Sequence, residues 1–157
     1  MLQRKQTLFL FIAGLITLLL LFIPFGHLST EWAYYRYSAF SVSEATPDNT
    51  FIMSTIGNAI LLIATSALSF LTIFLYKKRK LQLRLISINM FVVLAAIFTI
   101  TYIYPNFVFP RNIYLSGATP DYNYVIIISF VSAIGLYFAK KAISKDEAMV
   151  RSADRLR

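Results

Sequence analysis

Eight consecutive residues, Lys77-Lys78-Arg79-Lys80-Leu81-Gln82-Leu83-Arg84, carry five positive charges and no negative one, and a long apolar run lies on either side of them. At about 1.5 Å of helical rise per residue, residues 51–76 and 85–104 are each long enough to cross a hydrocarbon core of about 30 Å. A basic segment between two such helices is retained on the cytoplasmic side of a membrane. The segment therefore orients the rest of the chain. Composition agrees: 58% of the 157 residues are hydrophobic and 14% charged, too apolar for an ordinary water-soluble domain.

The net charge of +8 would suit nucleic acid if the bases covered a soluble surface. They gather instead between apolar runs, so a membrane explains them and no nucleic-acid partner is expected. Cysteine is absent, which excludes disulfides, thiolate metal sites and cysteine nucleophiles. His27 is the only histidine, which excludes a bis-histidine haem within the chain and a histidine-rich zinc site.

Taken in order, a short basic start with Arg4 and Lys5 leads into the apolar residues 7–25. Pro24-Phe25-Gly26-His27-Leu28 offers no small-x-small cleavage pattern, so this run is expected to stay as a first transmembrane helix. Trp32, Tyr34, Tyr35 and Tyr37 suit the lipid–water boundary, and residues 35–43 alternate loosely, as a short strand would. A turn is expected at residues 45–49. Residues 51–76 read as a second helix with the small residues Ser54, Gly57, Ala64, Ser66, Ala67 and Ser69 for close packing. Asn58 here and Asn89 in the third helix, 85–104, are its intramembrane polar candidates. Pro105 is expected to end the third helix, and two strand-like pieces, 107–109 and 112–115, to follow. Residues 122–140 read as a fourth helix.

The tail, 141–157, contains Ser144-Lys145-Asp146-Glu147, which matches a capping box and predicts a separate short cytoplasmic helix. Glu147–Arg151 and Arg151–Asp154 have the spacing of helical ion pairs, and Met149, Ala153 and Leu156 would share one face.

Four spans would put both termini on the side of the basic segment. Thirteen of the fifteen bases then lie there, with only Arg36 and Arg111 opposite. With the seven acids divided three and four, the two sides carry +10 and −2. That bias predicts a bacterial inner-membrane protein with both termini cytoplasmic.

No ionisable side chain falls in the centre of any apolar run, where proton-coupled carriers place theirs. P-loop, dinucleotide-glycine, HExxH and GxSxG patterns are all missing. The acids Glu31, Glu44, Asp48 and Asp121 show no spacing that would pair two of them for acid–base work. Neither a catalytic residue nor a cofactor site is expected.

Three stretches carry a family likeness. They are Gln3-Arg4-Lys5-Gln6-Thr7-Leu8, Lys78-Arg79-Lys80-Leu81-Gln82-Leu83-Arg84-Leu85, and the ending Lys145-Asp146-Glu147-Ala148-Met149-Val150-Arg151-Ser152-Ala153-Asp154-Arg155-Leu156-Arg157. Together they resemble a bacterial domain-of-unknown-function family of small four-helix membrane proteins. The resemblance implies that architecture and supplies no catalytic residues.

The expectation is thus an all-α protein with four transmembrane helices, a small β-structured cap on the outer face and a short C-terminal helix. Its function would be that of a non-enzymatic accessory or scaffold subunit. Lys77, Lys78, Arg79, Lys80 and Arg84 would bind a membrane or cytoplasmic protein partner together with Glu147, Met149, Arg151, Asp154, Arg155 and Arg157. Anionic headgroups would contact the same bases. The alternatives are a small oligomeric carrier or channel lined by Asn58 and Asn89, and an enzyme acting on lipid from the outer loops.

Overall fold

A computed structural model describes residues 5–76 and 78–155. Helix α1, Lys5–Leu19, is followed by four short strands, β1 Gly26–Ser29, β2 Tyr34–Tyr37, β3 Ser41–Glu44 and β4 Phe51–Ser54. Helices α2, Ile56–Phe74, and α3, Arg79–Phe98, come next. A π-helical segment, Thr99–Val108, and a 3-10 turn, Phe109–Arg111, extend α3. Strand β5, Thr119–Tyr122, precedes the long helix α4, Val125–Arg155.

This order corrects the all-α, four-span expectation. The five strands form one antiparallel sheet in the order β4-β3-β2-β1-β5, so the fold is mixed α/β. Phe51–Ser54 is a strand and not the first turn of a helix. Three helices are long and apolar enough to cross a membrane, Ile56–Phe74, Arg79–Arg111 and Val125–Met149. The fifteen residues of α1 reach only about 22 Å.

Burial in α2 is inverted relative to a protein in water. Asn58, Thr65, Ser66, Ser69 and Thr72 lie on its buried face, whereas Ile60, Ile63, Leu71 and Phe74 point outward. In water the apolar side would turn inward. Thr65, Ser69 and Thr72 donate to the carbonyls of Leu61, Thr65 and Leu68 one turn back, so the polar stripe is largely satisfied within its own helix. Small side chains there let α1 come close. Ser66 Oγ donates to the Gly14 carbonyl at 3.1 Å, and a Cβ on Gly14 would stand 3.0 Å from that of Ser69. This is a membrane protein.

Each helix packs on two others, α1 on α2 and α4, and α3 on α2 and α4. Their connections put Lys5, the α2–α3 junction and Arg155 at one end and the sheet at the other. Leu28, Tyr35, Tyr37 and Val42 point from the sheet into a core shared with Leu20, Phe25, Ile100 and Phe109. A second core nearer the basic end joins Leu10, Ile86, Ile97 and Leu136.

Pro105 does not end the third helix. It has no N–H for the carbonyls one turn back, those of Thr101 in α spacing and Ile100 in π spacing, and its ring would crowd a tight turn. The backbone widens to π geometry across it. Two tyrosines from the sheet serve the open carbonyls. Tyr122 Oη donates to Thr101 O at 3.1 Å and lies 3.4 Å from Ile100 O, and Tyr37 Oη lies 3.4 Å from Ile100 O. The expected strands at 107–109 and 112–115 are therefore helical and turn structure. The real second-loop strand is Thr119–Tyr122, and Pro120 is tolerated because β5 is an edge.

Gly26 is required where β1 meets β5, because any Cβ would run into the Asp121 carbonyl oxygen. Gly26→Val is expected to unpair β5 and withdraw Tyr122 from Thr101. Burial raises the Tyr122 phenol from 10.0 to about 12. Its un-ionised form is thus favoured in the folded state. The stabilisation is complete below pH 10 and is lost as pH rises from 10 to about 12. Tyrosinate absorbance should show this late titration in the wild type, and Tyr122→Phe should remove it while costing about 1 kcal/mol in thermal unfolding.

Candidate functional site

The basic end is built by two helix termini. α3 starts at Arg79 with no acid in its first turn, so its bases oppose the helix dipole instead of complementing it. Lys78, Lys80 and Arg84 are exposed. Arg79 is half-buried, and its guanidinium donates to the Asp146 carbonyl of α4 at 3.3 Å. Beneath it, Gln82 is buried and donates through Nε2 to the Thr72 carbonyl at 3.1 Å, which holds α3 against the end of α2.

The expected capping box is absent. Ser144 and Glu147 stand inside α4, which runs unbroken from Val125 to Arg155. No Gly or Pro interrupts residues 136–157, and amides in a helix interior need no cap. Met149 is 54% exposed and packs into no core. Lys77 and Arg157 lie outside the described residues, as does Leu156. Arg151, Asp154 and Arg155 take part in α4 through their backbone. The structure thus joins Lys78–Arg84 to the segment around Asp146 and Glu147.

Asn58 and Asn89 are fully buried at different levels. Asn58 Nδ2 donates to Tyr37 Oη at 2.7 Å, and Asn89 Nδ2 to Ser69 Oγ at 2.8 Å. Ser69 lies eleven residues beyond Asn58 on α2, about 16 Å along the axis. Each Oδ1 has no hydrogen-bond partner. Between these levels a cavity of about 10 Å³ lies among all four helices, lined partly by Thr17, Ser129 and Ser132, with room for about one water. Both asparagines are thus enclosed in the helical interior, one above and one below this cavity. Among the described residues no three of His, Asp and Glu come together to hold a metal.

Reasoning from sequence missed Tyr37, Tyr122 and Gln82. Tyr37 is the most consequential. Its ring stacks edge-on against Phe25 and Phe109, and burial pushes its phenol far above the usual tyrosine range. Aromatics near an apolar run were the only available signal, and they read equally well as a boundary belt.

The family profile for a Domain of unknown function (DUF4293) matches residues 2–156. The chain belongs to the DUF4293 family. Among curated proteins none matches it. In this DUF4293 chain the basic end is the most concentrated charge on the molecule, and each buried asparagine makes one side-chain hydrogen bond to a neighbouring element. Asn58→Leu and Asn89→Leu should each change stability by only about 1 kcal/mol, measured by thermal unfolding in detergent. Asn58→Leu should have the larger effect, because it leaves Tyr37 without its donor.

Proposed function

We propose that this DUF4293 protein is a non-enzymatic accessory or scaffold subunit of the bacterial inner membrane. It binds a protein partner through its basic end, and both termini lie in the cytoplasm. The observation that carries this reading is the Arg79–Asp146 contact, which brings the α2–α3 junction and the end of α4 onto one surface. Lys78, Lys80, Arg84, Lys141 and Lys145 are exposed around it. Bases in this number steer an acidic partner and also engage anionic headgroups. The alternative, a small carrier or channel formed by oligomerisation, draws on the unpartnered Oδ1 atoms of Asn58 and Asn89.

Two experiments test the proposal. Since the native chain has no cysteine, Lys80→Cys and Ser116→Cys give single labels at the two ends. Impermeant reagent added from outside should label position 116 and spare 80, and the opposite result would reverse the orientation. Cross-linking in mild detergent should then capture a partner on the wild type. The variant Lys78→Glu/Lys80→Glu, or a chain ending after Ala142, should lose it while inserting normally. Retention of the same partner in the same amount by both would overturn the scaffold reading.

A further inference from the structure

The sheet's outward face carries a single row of side chains across all five strands. Register pairs Asp121 with His27, His27 with Arg36, Arg36 with Ser43 and Ser43 with Phe51. Arg36 is at the centre of the row, on the middle strand. It is one of the two bases placed at this end of the molecule. Among the described residues no carboxylate forms an ion pair with it.

The row forms one wall of an open groove of about 810 Å³. His27, Arg36 and Ser43 supply polar groups, and Phe22, Phe40 and Phe51 supply apolar ones. These three rings are 78%, 46% and 66% exposed, a large apolar area for a solvated loop region. Phe22 also continues the outward apolar stripe of α1, Leu8, Leu15, Leu18 and Leu19, which belongs to the lipid-facing wall. The groove is therefore continuous, through Phe22, with the outward apolar stripe of α1. A ligand suited to both halves has an anionic head and a long apolar tail.

We propose that this groove binds an anionic phospholipid of the leaflet on the sheet side. Arg36 contacts the phosphodiester, His27 and the Ser43 hydroxyl donate beside it, and an acyl chain runs past Phe22 along α1. Arg suits this role because its planar fork matches a phosphate with paired donors. Charge complementarity selects the head, and the continuous apolar wall selects a lipid over a soluble phosphate. Asp121, beside His27 in the row, weakens the site's positive potential and so limits its affinity.

The test uses full-length protein in detergent, titrated with phosphatidylglycerol or phosphatidylcholine and read by native mass spectrometry. The background is Lys78→Gln/Lys80→Gln/Arg84→Gln, so that lipid held at the basic end does not mask the groove. One phosphatidylglycerol should be retained in preference to phosphatidylcholine. Arg36→Gln should weaken that binding about tenfold, and Asp121→Asn should strengthen it. Arg36 is exposed, so unchanged far-UV circular dichroism and melting temperature are expected for its variant. Leu18→Trp, on the outward stripe of α1, should lower retention less than Arg36→Gln does. The proposal fails if Arg36→Gln retains phosphatidylglycerol like its parent, or if both lipids bind equally. It also fails if glycerol phosphate displaces the lipid at equal concentration, which would make the groove a plain anion site. Each comparison is made between variants that share the same basic end, so lipid held there does not decide the outcome.

Discussion

The carbonyls left open by Pro105 determine how the two halves of this protein are joined. A helix crossing lipid tolerates a proline only where other groups take over the freed acceptors. Tyr122 and Tyr37 do so from a sheet that lies elsewhere in the chain. Tyr37 can reach Ile100 because Asn58 holds its hydroxyl from α2, and because Phe25 and Phe109 close on its ring. The widened turn, the sheet and the start of α2 are thus one cooperative unit. Loosening any of them exposes a polar group at the edge of the hydrocarbon, where replacement by water is limited.

From this junction the other features follow. With the inner face of the sheet committed to the helices, alternation turns His27, Arg36 and Ser43 to the outside as a row. With the sheet held at one end, the four helices run toward the other, where Arg79 and Gln82 tie α3 to α4 and α2. The molecule is polarised by construction. One end is compact, aromatic and amphipathic, and the other is strongly basic.

The helical interior obeys a different rule from a soluble core. Its buried stripe on α2 is made of hydroxyls and small side chains that bond their own helix, and the large apolar groups face outward. Packing and short polar contacts hold such helices together, since lipid offers no hydrophobic gain between them. The orphaned Oδ1 atoms of Asn58 and Asn89 mark where that packing stops short of full satisfaction.

The long apolar helices, the small-residue contact at Ser66 and Ser69, and the basic end were legible in the sequence. Hydropathy and charge are properties of contiguous segments, and a membrane reads them one segment at a time. Alternation in residues 35–43 hinted at one strand where the structure has two, Tyr34–Tyr37 and Ser41–Glu44, but four-residue strands give too short a pattern to reveal a five-stranded sheet, so the fold class was misjudged as all-α. The Ser144–Glu147 spacing was misread because a local motif is silent about whether the preceding helix continues through it. What only the tertiary structure decided is the pairing of β1 with β5, about ninety residues apart. It also decided the tyrosine contacts that bridge Pro105, and the row centred on Arg36. Each depends on register between segments distant in the chain, and register is set by packing in three dimensions.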